Sequence, residues 1–398
     1  HYWHALGGYL RQVGRDADAM GAHLAACTLA PEEFECQFAL GEAALAAPHG
    51  HIASEALGEA CRLQPGHAIA ARWRERAQKL LAEGDCSRPR DLLLAHVEVT
   101  RLQGTGVLLE RFFPNSDDFV TVRSRTLYQG KVHFGGIHFA MDLPGLPETV
   151  RRDVLRRLLA PYRIRRILCV PFFASDFMHG VAAHELTGAP LCTYVMDDQV
   201  LHAKAVPAEL AQRLLAASRL RLAISPEMVA EYSASFGCSF GLLPPIVATS
   251  EHEAPNSWIP AVGAPTHCAM VGNVWSARQF QQLRDFTRAA GLKLDWFGNA
   301  NVAWLPQDKE ELERDGIFRH GFLPEEQLAM RLARYPFVVI PSGALDGTED
   351  NEWLTRLSLP SRMVFILAKT HTPMLILGSA RTAAAAFVNR FGLGTSSN

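Results

Sequence analysis

The spacing of apolar positions changes twice along the chain. Over the first eighty residues small and apolar side chains return at helical intervals. Leu6-Gly7 recurs as Leu40-Gly41, Ala26-Cys27 as Ala60-Cys61 and Pro31 as Pro65, each after 34 residues. Such a period predicts helix pairs closed by proline, with a further helix from His67 to Glu83. From Asp91 onward, compact apolar runs alternate with amphipathic stretches. Asp91–Val99, Phe119–Val122, Ile167–Val170, Leu191–Met196 and Arg221–Ile224 read as strands. Val107–Phe113, a stretch opened by Pro147, Asp176–Leu186 and Ala208–Ala217 read as the helices between them. Residues 243–266, with Pro244, Pro245, Pro255, Pro260 and Pro265, read as a linker. A second alternation follows: Cys268–Val271, Leu292–Phe297, Phe337–Ile340 and Met374–Leu377 as strands, with helices at Ala277–Ala290, after Pro324 and at Leu359–Arg362. Strands alternating with helices imply parallel sheets covered on both faces, and ligands then bind at the carboxyl ends of the strands.

The N-terminal unit, with Trp3-x-x-Leu6-Gly7 and Leu29-Ala30-Pro31, then Leu40-Gly41 and Leu63-Gln64-Pro65, resembles the tetratricopeptide repeat. That resemblance implies a docking surface for a protein partner; a structural extension of the following domain is the alternative. The expected division is 1–84 helical, 90–242 and 267–394 Rossmann-like, with 243–266 linking the last two.

Composition removes several classes of function. Of the 398 residues 20% are charged, and the net charge of −2 lacks the basic surplus of a nucleic-acid binder. Eight cysteines include no pair two residues apart, so the common zinc spacing is absent and no metal is expected. Most lie in apolar runs, as does Cys169, which suits reduced thiols and a cytoplasmic setting. No apolar stretch is long enough to span a bilayer. Arg151, Arg152, Arg156 and Arg157, followed by Arg163, Arg165 and Arg166, form a basic cluster. Peripheral contact with the inner face of a membrane, or with a phosphate-bearing lipid-linked acceptor, is one reading; a solvated face is the other.

Four passages narrow the class: Ser218 to Met228, with Ser225-Pro226-Glu227; Met270-Val271-Gly272-Asn273; Gly321-Phe322-Leu323-Pro324; and Leu359-Pro360-Ser361-Arg362, followed by Thr370-His371-Thr372-Pro373-Met374. In this order they resemble the GT-B class of glycosyltransferases, and most closely the retaining family that includes sucrose synthase. The resemblance implies two Rossmann-like domains, a UDP- or GDP-sugar as co-substrate and no tightly bound cofactor. It places the nucleotide-sugar against the C-terminal domain, with Gly272 and Asn273 at the diphosphate or sugar. Gly321, Phe322 and Leu323 would lie near the base, and Glu349, Asp350 and Glu352 near the sugar and ribose. The acceptor, a glycan, a lipid-linked saccharide or a protein side chain, would lie against the N-terminal domain.

The residues support parts of this directly. Ser361 and Arg362 open a helix, where free amides and a guanidinium suit a diphosphate; a plain cap and a surface charge are the alternatives. Asp197 and Asp198 end a strand, with His202 nearby, and are candidates for acceptor hydroxyls. Arg362 and Asp198 are the expected catalytic residues. Gly104-Thr105-Gly106 reads as a donor-rich turn on the acceptor side; Leu109 breaks the dinucleotide fingerprint, so NAD is not expected. Two departures stand out. The positions eight beyond Glu349 and Glu352 are Leu357 and Pro360, so the family's glutamate pair is missing. After Gly394 only four residues follow, so the closing helix of the fold class is expected either to be absent or to lie elsewhere, for example among the N-terminal helices. The rival readings are a nucleotide-sugar epimerase and a non-catalytic scaffold that binds a nucleotide or glycan.

Overall fold

The computed structural model describes residues 1–84, 88–247, 266–274, 276–298, 308–347 and 354–397. Five helices come first: α1 (Tyr2–Gln12), α2 (Asp16–Leu29), α3 (Phe34–Ala46), α4 (Gly50–Leu63) and α5 (Ala68–Glu83), each packed on the next. The 34-residue recurrence has a steric cause. A Cβ on Gly7 would lie 2.6 Å from the His23 ring, and one on Gly41 would lie 2.4 Å from Leu57. Equivalent glycines thus let equivalent helix pairs close.

A seven-stranded sheet follows. It is built from β1 (Arg90–Ala95), α6 (Gly104–Phe112), β2 (Phe119–Arg123), β3 (Ile137–Ala140), α7 (Glu148–Leu159), β4 (Ile164–Val170), α8 (Ala174–Thr187), β5 (Leu191–Val195), α9 (Ala208–Ala217), β6 (Ser218–Ala223), α10 (Pro226–Phe236) and β7 (Gly241–Leu242). The strand order is β3-β2-β1-β4-β5-β6-β7. On β1, Leu92 and Leu93 point to opposite faces and both are 0% exposed, so the sheet is covered on both sides as its apolar runs require.

The second sheet uses β8 (His267–Val271), α11 (Ala277–Ala290), β9 (Lys293–Phe297), α12 (Lys309–Arg314), β10 (Ile317–Gly321), α13 (Glu325–Leu332), β11 (Val338–Pro341), α14 (Leu354–Leu357), α15 (Arg362–Thr370), β12 (Met374–Leu377), α16 (Ala383–Phe391) and β13 (Gly394–Ser397). Its order is β10-β9-β8-β11-β12-β13, with parallel pairing throughout. The chain forms two compact units, His1–Tyr194 with Pro207–Arg221, and Val195–Val206 with Leu222–Asn398.

Within the first unit the helices are fastened to the sheet. Arg123 on β2 donates to Asp18 on α2 at 2.8 Å, and both side chains are buried. Gly21 brings α2 so close to β3 that a Cβ there would lie 2.3 Å from the Ala140 carbonyl oxygen.

The structure corrects several expectations. Helix α6 begins at Gly104, so Gly104-Thr105-Gly106 is its first turn and not a loop. Gly106 serves packing, since a Cβ there would lie 2.1 Å from the Thr100 carbonyl oxygen. Strands β3, β10 and β13 were not legible: Gly394-Thr395-Ser396-Ser397 has no apolar alternation, yet it pairs with β12 as an edge strand. The basic cluster is largely neutralised locally. Arg152 pairs with Glu185, Arg156 with Asp153, Arg157 with Glu55 on α4, and Arg165 and Arg166 both with Asp91. Arg157 is 13% exposed at its side chain, so it faces α4 and not solvent. Among the described residues no helix is long and apolar enough to cross a membrane, and no group of side chains is arranged to hold a metal ion.

Burial depresses the pKa of six histidines: His23, His49, His96 and His138 to about 4, and His51 and His179 to about 3. Each is neutral when folded and charges more readily unfolded. Their contribution is full above the unfolded value near 6.5 and is lost as pH falls toward 4, at about 1.4 kcal/mol per pH unit for each. We therefore expect the thermal midpoint to fall steeply between pH 6.5 and 4.5. A midpoint that is flat across that window, measured by calorimetry or circular dichroism, contradicts this.

Candidate functional site

The second sheet reverses direction between β8 and β11, so the crevice at their carboxyl ends is where a doubly wound sheet receives a ligand. Three glycines end adjacent strands there. Gly272 follows β8, Gly298 follows β9 and Gly321 ends β10. They are joined along the edge by Gly272 N to Phe297 O at 2.8 Å and Gly298 N to Gly321 O at 2.9 Å. Gly272 has φ of +96°, and a Cβ on Gly298 would lie 2.4 Å from the Gly272 carbonyl oxygen. The Trp296 indole N–H donates to that same oxygen at 2.7 Å, which pins the turn.

Arg362, at the first turn of α15, lies directly over Gly272. A Cβ on residue 272 would be 2.7 Å from Arg362 Nη1 and 3.1 Å from its Cδ and Cζ. Burial pulls the guanidinium down to about 10, so it remains cationic at neutral pH. Its Nε is buried without a hydrogen-bond partner among the described residues, and so is Asn273 Oδ1. Ser361 precedes the helix without making a side-chain cap bond, and Met363 N already donates to the Pro360 carbonyl oxygen at 3.0 Å, so the Ser361 hydroxyl and the Arg362 amide are the donors at the start of α15. A desolvated cation beside uncapped helix amides and a bare glycine turn is an arrangement that stabilises an anion. Phe322, next to Gly321, is 52% exposed, and Leu323 lies beside it, half-buried. Glu349, Asp350 and Glu352 lie outside the described residues.

The aspartates after β5 have different positions. Asp198 is 0% exposed and its carboxylate accepts from Val200 N, Leu201 N, His202 N and the Tyr232 hydroxyl at 2.8–3.1 Å. It therefore organises the loop and has no surface for direct contact with substrate, which corrects the expectation of a catalytic contact. Burial raises Asp197 above the ordinary carboxylate range. His202 contacts Glu231 at 2.5 Å, and Glu231 also holds Arg356 at 3.4 Å. Ser225, fully buried, accepts from Met228 N at 3.0 Å and donates to the Leu357 carbonyl oxygen at 2.6 Å. These bonds bring the loop after β5 and the start of α10 to the segment that leads into Arg362, all within the second compact unit.

Sequence reasoning missed a polar group at the direction change of the first sheet, between β1 and β4. His96 stacks on Phe172 with centroids 5.1 Å apart. Asp176 accepts from Phe172 N and Phe173 N at 2.9 and 2.7 Å, and burial pushes it up to about 6. His179 Nδ1 lies 3.1 Å from Ser124 Oγ. Asp176 and His179 are three apart on α8, and that helical spacing was the available signal.

Gly272→Ala places its methyl against the guanidinium and strains a left-handed backbone. Binding of UDP, measured by calorimetry, is expected to weaken about tenfold or more, equivalent to ~1.4 kcal/mol. Unchanged affinity would show that Arg362 is not held over this turn for an anion.

No family model matches the sequence, and no curated protein matches it. Solved structures do. Anabaena HepE in complex with UDP and glucose is 13% identical, with 78% of this chain and 86% of that chain covered and a TM-score of 0.52. The same protein in complex with UDP-glucose gives 12% identity, 77% and 85% coverage and a TM-score of 0.52. A mutant of the Thermobaculum terrenum O-GlcNAc transferase is 14% identical over 100% of this chain and 80% of that chain, with a TM-score of 0.40. The likeness is one of fold, and it agrees with the two parallel sheets described above: the chain has the GT-B architecture of two Rossmann-like domains preceded by helices.

Proposed function

We propose that this protein transfers a sugar from a nucleoside-diphosphate sugar to a saccharide, lipid-linked or protein acceptor. The observation that carries the reading is the desolvated Arg362 guanidinium over Gly272, beside the uncapped start of α15. The HepE structures of the same fold hold UDP-glucose, or UDP and glucose, which supports the nucleotide-sugar class. Gly272, Asn273, Ser361 and Arg362 are assigned to the diphosphate and sugar. Gly321, Phe322 and Leu323 are assigned to the base, and Glu349, Asp350 and Glu352 to sugar and ribose. Arg362 and the helix amides stabilise the charge that develops on the leaving diphosphate. Asp197 and His202 face the acceptor, with Asp198 positioning them; Gly104, Thr105 and Gly106 support the acceptor domain through packing.

Retention of configuration remains the proposal that the likeness to the sucrose synthase family favours, with no metal and no tightly bound cofactor. The proposed domains are 1–84, 90–242 and 267–394, joined by 243–266. The helical repeats are assigned to a protein partner or acceptor, and a cytoplasmic site of action fits the cysteine usage. Epimerisation and nucleotide or glycan binding without turnover are the rival activities.

Arg362→Ala removes a half-buried cation that has no carboxylate partner among the described residues, so the thermal midpoint should stay level or rise. The same change should weaken UDP at least tenfold and abolish donor turnover. Loss of stability with UDP affinity intact would assign Arg362 to the core and overturn the reading. Interconversion of donor sugar without acceptor would favour the epimerase, and tight partner binding without nucleotide affinity the scaffold.

A further inference from the structure

A cavity of about 590 Å³ lies inside the first compact unit, separate from every residue assigned to the donor. Its walls come from the α1–α2 and α3–α4 turns, the end of α5 and the backbone around β3. Its volume is that of an ordinary small-molecule pocket.

The chemistry of the walls is mixed and charge-balanced. Helices α2 and α4 both start at the cavity, after Arg15 and His49, and neither has a side-chain cap. Their first intrahelical bonds are Ala19 N to Arg15 O and Ala53 N to His49 O, so the amides before these are available donors. Arg123, which lines the cavity, is 5% exposed; its Nε donates to Thr126 and one Nη to Asp18. His49 is 7% exposed and stacks on Phe139 at 4.5 Å. Its Nε2–H donates to the His138 carbonyl oxygen at 3.2 Å, so Nδ1 is an acceptor, with no partner among the described residues. Arg15, Arg90 and Arg123 are offset by Asp16, Asp18 and Glu83.

An anion would meet the His49 lone pair and three carboxylates, and an isolated cation would meet the helix starts. A neutral ligand with many hydroxyl groups uses both kinds of wall, because each hydroxyl donates and accepts. Ile137, Val132 and Leu81 supply the apolar contact that a sugar ring needs.

We propose that this cavity is a saccharide-binding site for one or two sugar units, in which His49 Nδ1 accepts from a hydroxyl while Arg123 and the starts of α2 and α4 donate. It is a second carbohydrate site, built where the repeat helices meet the first sheet, and it does not depend on the donor reading.

Saturation-transfer NMR on the full chain tests it, with glucose, galactose, N-acetylglucosamine and lactose as probes and inorganic phosphate as the anionic comparison. At least one sugar should receive saturation, with affinity reduced tenfold or more by Val132→Trp, which fills the space, and by His49→Phe, which keeps the stacked ring. UDP affinity should be unchanged in both variants. No transfer to any sugar, transfer that survives both substitutions, or displacement of the sugar by phosphate would each overturn the proposal. If His49→Phe fails to fold, Val132→Trp alone decides. UDP binding is the separate readout: its loss from the wild type would sink the donor reading and leave this one standing.

Discussion

The Arg362 guanidinium occupies the space where a side chain on residue 272 would have to be. Everything at the carboxyl edge of the second sheet follows from that exclusion. Gly272 must lack a Cβ to admit the cation, and Gly298 must lack one to approach the Gly272 carbonyl. Trp296 then fixes the turn by donating to that carbonyl, and α15 delivers the arginine from a start that has no side-chain cap. A cation drawn out of water with no carboxylate partner among the described residues costs free energy that an arriving anion would offset. In the proposed reading the site is a local conflict in folding that binding resolves.

The same bare turn depends on contacts farther back in the sequence. Ser225 is tied to the segment that leads into α15 through the Leu357 carbonyl, and Glu231 takes both Arg356 of that segment and His202 of the loop ordered by Asp198. Residues read from the sequence as acceptor-facing thus also brace the approach to Arg362. Helix α16 is joined to the same region, through Arg390 and Glu227 at 3.1 Å.

Much of this was legible in the sequence, and the illegible parts have physical causes. The alternating strands and helices announced themselves because buried parallel strands must be apolar on both faces, as Leu92 and Leu93 are. Gly272, Gly321 and Arg362 were legible as glycines after strands and a basic residue at a helix start. The contact of Arg362 with Gly272 was not, because it joins elements ninety residues apart. Asp198 misled because a strand-end carboxylate has the same sequence signature whether it meets solvent or is consumed by four protein donors. Gly106 misled because a glycine that permits a close approach of backbone, here that of Thr100, looks like one that permits a turn. Strand β13 was hidden because an edge strand takes its order from its neighbour's backbone and not from its own side chains.

In the proposed reading a nucleoside diphosphate lies on Arg362 at the end of β8. A crystal structure of the full chain with UDP tests it most directly. Diphosphate oxygens are expected within hydrogen-bond distance of the Arg362 guanidinium and the first amide of α15, above Gly272. UDP bound at another place, with Arg362 still lacking an anionic partner, would contradict it.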